Sequence, residues 1–403
     1  MNLLKNIEFL NPIILTLWIG SLCFDKFYKA TTVCIILLCL YNLFIKIFKW
    51  RNVYIVGQII NFITHNKILI ITYFSFLFTN TINSILFYNE INSVKFLVDF
   101  IKYSLFIIVP IFLINSRQIV KQVCIGMAII LVFLSLNAIY EYCMLNYDRV
   151  GMPFPNLFGW ILLILAPFGI IGLEYCNIKN RIIKFLALII LIVLFSIVLI
   201  LTQSRGNWLA FIIAIVIILF HGRKYFNKIF LKYLFFGFLV ASIIFFPIIS
   251  KRVNDTINYK SNYSVERLYI WQAALNMGKD YFWTGIGYDK DKFMELYDSK
   301  YHLGESKERH IVHPHNLFLY FFVRGGIFGI IGFILFIMAQ CKYFLNKKIN
   351  EFEQNPFRLI GIWFVCVTVI SQLVDVNFHF IEMQKIYWAV LGTIISSFEL
   401  VRR

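Results

Sequence analysis

Acidic residues are scarce in this sequence: 21 Asp and Glu among 403 residues, with only 15% of residues charged at all. A soluble domain carries about 25% charged residues and about 45–50% apolar ones. This chain is 60% apolar, includes 44 Phe and 22 Tyr, and has a mean hydropathy of +0.76. A soluble enzyme and a disordered tail are excluded, because no single core could hide so much apolar surface. Cysteine pairs at CxxC or CxxH spacing are missing as well. The eight cysteines (Cys23, Cys34, Cys39, Cys124, Cys143, Cys176, Cys341 and Cys366) fall mostly inside apolar runs, which excludes a disulfide scaffold and a zinc site. No 20–50-residue repeat and no low-complexity tract is visible, and no Ala-x-Ala cleavage site follows the first apolar run. That run is read as a retained signal anchor.

What the chain does have is long hydrophobic runs. A helix needs about 20 apolar residues to cross a bilayer. Runs of this kind fall at 10–24, 31–48, 68–88, 97–115, 119–141, 155–173, 182–202, 206–221, 229–248, 314–341, 357–376 and 382–400. The expected fold class is an all-α polytopic integral membrane protein with about twelve transmembrane helices. The stretch 53–64 is too short and polar to span and is expected at the interface.

The formal net charge of +17 does not imply nucleic acid. Lys and Arg sit in short tracts between apolar runs, the pattern of orientation signals. Lys46, Lys49, Arg51 and Lys67, then Arg117 and Lys121, then Lys179, Arg181 and Lys184 mark alternate loops. Arg223, Lys224, Lys228 and Lys232, then Lys342, Lys347, Lys348 and Arg358, and finally Arg402 and Arg403 continue the series. Both termini are therefore expected in the cytoplasm. On the opposite side only residues 249–313 are long and polar enough to form a unit, with nine acids against ten bases. The expected organisation is 1–248 in the membrane, 249–313 as one large outer loop with amphipathic helices, and 314–403 in the membrane. Within the loop, 262–280 spaces its apolar residues as a helix lying on the membrane surface.

Four features on that outer face could carry chemistry. In LTQSRGNW, Arg205 occupies a tight turn between two apolar runs: it either meets an anionic partner or snorkels at a helix end. Arg267 either meets an anion or pairs with the adjacent Glu266. His313 and His315 flank Pro314 where a loop enters a helix, and Asn316 fits an N-cap. A histidine there serves as a general base, a metal ligand or an interfacial residue; no acid lies at ligand spacing on the helix. DRVGMPFPNLFGW, with Arg149 and Asn156, forms either a substrate rim or a turn. Arg149, Arg205 and Arg267 share one face, and arginine grips phosphate bidentately. The arrangement suits a polyanion at the membrane surface, such as a lipid-linked diphosphate. Lys102 and Arg324 are the main charges inside spans, and Asp375 in SQLVDVNFHF is either a supporting acid or a helix-end residue.

LTQSRGNWLAF resembles the S-R-G-x-W signature of the O-antigen ligase and O-antigen polymerase superfamily. HPHNLFLYFFVRGGIFGIIG resembles its H-N-x-x-L…G-x-x-G signature beyond a large periplasmic loop, and DRVGMPFPN resembles its Arg-Gly…Asn-Pro-Asn region. Asn207 departs from the commoner Ala. The resemblance implies a GT-C-like glycosyltransferase of the bacterial inner membrane, working at the periplasmic face with neither metal nor other cofactor. Its implied partners are an undecaprenyl-diphosphate-linked glycan as donor, the lipid A-core as acceptor and membrane lipid, with no nucleic acid and the protein a monomer. It implies catalytic roles for His315, Arg205 and Arg267; Arg149, Asn316, His313 and Ser204 are expected to bind substrate. Ligation onto the lipid A-core is the expected function. O-antigen polymerase, protein O-glycosylating ligase and a lipid or polysaccharide transporter are the alternatives.

Overall fold

The computed structural model describes residues 2–22, 64, 66–88, 91–151, 153–221, 239–240, 242–257, 262–304, 306–345, 355–376 and 381–402. The expected spans at 31–48 and most of 229–248, and the interfacial stretch 53–64 except residue 64, lie outside the described residues. Every regular element described is helical. In chain order these are α1 (Asn2–Ser21), α2 (Lys67–Tyr88), α3 (Ile91–Ser104) running through a tight turn into α4 (Ile108–Leu113), α5 (Arg117–Met144), α6 (Pro155–Tyr175), α7 (Arg181–Leu201) and α8 (Arg205–His221). They continue with α9 (Phe246–Ile257), α10 (Asn262–Asp280), α11 (Lys290–Leu296), α12 (Leu317–Leu345), α13 (Pro356–Ser371) and α14 (Ile381–Arg402). Among the described residues, five helical stretches are long and apolar enough to cross a membrane: Val94–Leu113, Arg117–Met144, Pro155–Tyr175, Arg181–Leu201 and Leu317–Leu345. Shorter apolar helices, α8 and α13 among them, pack between these. The chain is a helical membrane protein.

The ends of the helices follow local chemistry. Ser116, Asn180 and Asn355 each accept a backbone N–H at the start of α5, α7 and α13, which satisfies donors a helix leaves open. α13 and α6 form the buried centre: Trp160 Nε1 donates to Thr368 Oγ1 at 3.1 Å, and Trp363 Nε1 donates to the Leu163 carbonyl at 2.7 Å. α8 lies along α13, α5 along α6, and α12 along α2. α7 instead leaves Ile182, Ile183, Leu186 and Ile190 exposed, the outward apolar face that lipid solvates.

α10 forms over the expected residues, 262–280. Ile270, Ala273, Ala274 and Met277 point inward toward α12, whereas Leu268 and Leu275 are exposed. Its Glu266 is turned away from Arg267 and buried. Its carboxylate accepts from Ser306 Oγ at 2.6 Å and from the Lys307 and Glu308 amides, and so pins the chain that leads toward His313.

α12 breaks at Gly326, whose φ of 66° and ψ of −161° leave the helical region. The loop after α10 fills the break: the Ile286 amide donates to the Val323 carbonyl, Gly287 to Arg324, and Ile327 to the Phe282 carbonyl. Backbone groups freed inside an apolar helix need such partners. Arg324 is not a bare midplane charge. Its guanidinium donates to the carbonyls of Gly287, Asp289 and Val312 and lies 5.2 Å from the Phe293 ring centroid. Lys102 places its ammonium over the Tyr103 ring at 5.2 Å, and the buried Lys385 of α14 approaches the same ring at 5.5 Å.

Candidate functional site

One end of the bundle gathers the polar side chains. The turn between α7 and α8 holds Thr202, Gln203 and Ser204. It is sewn to the loop before α6: the Val150 amide donates to the Leu201 carbonyl at 3.2 Å and Arg149 Nε to the Thr202 carbonyl at 3.0 Å. Asn207, the departure from the motif, donates to the Asn156 carbonyl at 2.8 Å and to Ser204 Oγ at 2.9 Å. Ser204 is therefore buried with its hydroxyl accepting from Asn207. The glycine of S-R-G has a packing reason. A Cβ on Gly206 would lie 2.3 Å from Val374 Cγ2, so only glycine lets the start of α8 abut the segment after α13. Arg205 is the first residue of α8 and is half-buried.

The segment after α13 is also tied to the start of α12. The Leu317 amide donates to the Gln372 carbonyl at 3.0 Å, and Asn316 Nδ2 to the Leu373 carbonyl at 2.8 Å. Asn316 Oδ1 accepts from the Phe318 and Leu319 amides, so this residue caps α12 and clamps the neighbouring chain together. His315, directly before it, adopts φ 49°, a region that non-glycine residues seldom occupy and that recurs at functional sites. The result brings His315 to Asp375. Nδ1 stands 3.5 Å from Oδ1, at the long edge of hydrogen bonding and short of a formed bond. The other carboxylate oxygen, Oδ2, accepts Asn156 Nδ2 at 2.6 Å, and Asn156 Oδ1 accepts Arg149 Nη2 at 3.3 Å. A hydrogen-bonded line thus runs Asp375–Asn156–Arg149, with His315 at its end, 3.5 Å from Asp375. His313 lies beside it, its ring centroid 4.4 Å from that of His315.

Charge accumulates around this line. Burial alone would raise the Asp375 carboxyl, but the neighbouring His315, the positive field of Arg267 and the Asn156 bond hold it below the usual carboxylate range. Arg149 is pushed down to about 10 by burial and then by the charges of Arg252, Arg267 and Arg205, with Asp375 opposing. The charges of Arg205, Arg252 and Arg267 thus reach Arg149, and that of Arg267 reaches Asp375, beside a half-buried histidine that is 30% exposed. Such a cluster can hold a phosphate-type anion through planar guanidinium forks and can take a proton from a hydroxyl at the free side of the imidazole. Among the described residues, no three His, Cys, Asp or Glu side chains gather as a metal cluster.

Of the residues singled out in the sequence, His315 and Arg149 are joined through Asp375 and Asn156, the charges of Arg205 and Arg267 act on Arg149, His313 adjoins His315, and Asn316 and Ser204 hold the frame. Sequence reasoning passed over Arg252 and left Asp375 unassigned. The signal available for Asp375 was an acid at the end of an apolar run, the end at which the histidine motif also emerges.

A family model described as O-Antigen ligase matches residues 186–334. The match takes in Arg205, Arg252, Arg267, His313 and His315, and leaves Arg149 and Asp375 outside. No curated protein matches the chain. The resemblance carried by the S-R-G-x-W and H-N-x-x-L motifs is thus met by a similarity to the O-antigen ligase family over residues 186–334.

Proposed function

We propose that the protein is an O-antigen ligase that moves a glycan from undecaprenyl diphosphate onto the lipid A-core at the periplasmic face of the bacterial inner membrane. Both termini lie in the cytoplasm in this reading, and residues 249–313 form the periplasmic loop between two membrane-embedded parts. The observation that carries it is the His315–Asp375 pair joined through Asn156 to Arg149, with the charges of Arg205, Arg252 and Arg267 acting on that arginine, and with His315, Arg205 and Arg267 inside the stretch that matches the O-antigen ligase family.

The transfer is a single displacement with inversion, without metal or nucleotide. The acceptor hydroxyl oxygen attacks the anomeric carbon while the bond from that carbon to the diphosphate oxygen breaks, and the diphosphate leaves with the electron pair. In the reacting complex Asp375, 3.5 Å from Nδ1 of His315, closes to accept Nδ1–H, which leaves Nε2 as the base that takes the hydroxyl proton. Asp375 is the positioning residue: it fixes the ring and balances the imidazolium. Arg205 and Arg267 grip the diphosphate and stabilise the charge that grows as it departs, an effect worth about 3–4 kcal/mol for a single well-placed donor. The N-terminus of α8 beside Arg205 adds its dipole in the same sense.

Deleting the gene in its host tests the reading. Surface lipopolysaccharide is run on a gel, and the glycan on undecaprenyl lipid is measured in parallel. A ligase leaves a bare core while polymer accumulates on the undecaprenyl lipid. A core carrying one repeat unit, with long polymer nowhere, identifies a polymerase instead, and an unchanged gel rejects both.

A further inference from the structure

Arg324 is 2% exposed and lies just before the break of α12 at Gly326. A buried guanidinium in an apolar helix is costly to keep, and its use is read from what it binds. This one spans two segments. Nη1 donates to the Gly287 carbonyl at 3.2 Å and to that of Asp289, and Nη2 donates to the Val312 carbonyl at 3.0 Å. The rings of Phe293 and Tyr320 flank it, with centroids 5.2 and 5.7 Å from Cζ. Its own carbonyl, released by the break, accepts the Gly287 amide at 3.1 Å. The loop between α10 and α11 is therefore tied to residue 324 twice, and residue 324 in turn holds Val312.

Val312 is the last residue before His313, Pro314 and His315. The chain ahead of it is anchored by two acids: Glu266 accepts the Lys307 and Glu308 amides, and Asp298 accepts the His310 amide at 3.1 Å. On the far side Asn316 caps α12 and donates to the Leu373 carbonyl. The segment between the Arg324 bond and the Asn316 clamp is thus only 313–315. It contains a proline, whose φ is fixed, and His315 at φ 49°, a conformation that persists where the surroundings over-determine it. So short a segment takes its course from its two ends. His315 Nδ1 already stands 3.5 Å from Asp375 Oδ1. A further drift of about 1 Å takes the pair out of hydrogen-bonding range, a misplacement that can cost about 10²-fold in rate.

We infer that Arg324 is a positioning residue: through the Val312 carbonyl it sets His315 against Asp375, and it couples that placement to the loop between α10 and α11. The role of His315 as base rests on the proposed function; the anchoring of 313–315 rests on the geometry alone.

The test uses the full chain in lipid nanodiscs and compares wild type with Arg324→Lys, Arg324→Gln and Trp363→Phe. Lysine keeps the charge and loses the planar fork that serves two segments at once; the glutamine variant replaces it if the lysine variant does not fold. Trp363→Phe removes the buried bond to the Leu163 carbonyl and reports a loss of stability alone. The first readout is acylation of His315 by diethyl pyrocarbonate, measured by mass spectrometry with the exposed His310 as internal reference. Its relative rate should rise severalfold in the Arg324 variants and stay at the wild-type value in Trp363→Phe. The second readout is glycan transfer. The Arg324 variants should lose about tenfold or more in kcat, with KM for the lipid-linked donor within a factor of about two. Added to Asp375→Asn, Arg324→Lys should cost little more, because both act through His315. Wild-type acylation or wild-type kcat in the Arg324 variants would overturn the inference and leave the proposed function standing. Equal changes in Trp363→Phe would reduce Arg324 to a stabilising role and overturn the inference as well. A wild type that shows the acylation difference but no transfer would overturn the proposed function and leave the anchoring of His315 standing.

Discussion

The imidazole of His315 and the carboxylate of Asp375 stand 3.5 Å apart, Nδ1 to Oδ1, although they belong to different helix ends. Their meeting depends on Asn316, which caps α12 through its Oδ1 and holds the Leu373 carbonyl through its Nδ2. It depends equally on Gly206, which lets α8 close against Val374. Asn156 then binds the far oxygen of Asp375, so the acid is held from both sides.

Replacing Asp375 by Asn keeps the shape and removes the charge that orients the His315 ring. Transfer should fall roughly 10²-fold, within the contribution expected of general-base catalysis, while affinity for polyprenyl diphosphate stays within a factor of about two or three. Steady-state transfer kinetics with a parallel binding measurement check this. A loss confined to donor affinity would assign Asp375 to binding.

The same carboxylate makes stability depend on pH. Its folded-state pKa lies below the unfolded value of 3.8, because His315, Arg267 and Asn156 together outweigh burial. The stabilisation is therefore complete above about pH 4–5 and is lost as pH falls through 3.8 and below. Melting curves in detergent should show wild type above Asp375→Asn near neutrality, by roughly 2–4 °C per kcal/mol of lost stability, with the gap closing in acid. A gap that widens in acid would reverse the sign.

Arg205→Lys and Arg267→Lys each keep the charge and lose the planar fork. Transfer should drop about tenfold to a hundredfold for either, with folding retained. Size-exclusion profiles and initial rates decide this, and near-normal rates in both variants would mean that point charges suffice.

At Gly326 the backbone is strained for any side chain, and a Cβ would lie 2.8 Å from the Phe282 carbonyl oxygen. Gly326→Ala should destabilise the fold by about 1–3 kcal/mol and loosen the loop that docks there. Limited proteolysis between α10 and α11, beside a thermal melt, measures both effects.

The helical membrane architecture was legible because long apolar runs admit few other solutions, and the α10 boundaries followed from local periodicity. The choice among its apolar residues did not: Ile270, Ala274 and Met277 pack inward with Ala273, while Leu268 and Leu275 are exposed. His315, Arg205 and Arg267 stood out because they interrupt apolar sequence in compact motifs. Glu266 looked like the partner of Arg267, but adjacent helical residues diverge, and the loop amides at 307 and 308 claim the acid. Asp375 and Arg252 join the cluster only through tertiary closure, by Gly206 and by Gln203, whose Oε1 accepts Arg252 Nε, and neither leaves a periodic trace in the sequence.

The central claim is that His315 takes the proton from the acceptor hydroxyl during glycan transfer from the lipid diphosphate. The most direct measurement is transfer from undecaprenyl-diphosphate-linked glycan to lipid A-core by the purified protein in nanodiscs, wild type against His315→Ala. The account predicts transfer by wild type and a loss of about 10²–10⁴-fold or more in the variant, with polyprenyl diphosphate still bound and the melting temperature little changed. Near-normal transfer by a well-folded His315→Ala protein would contradict it.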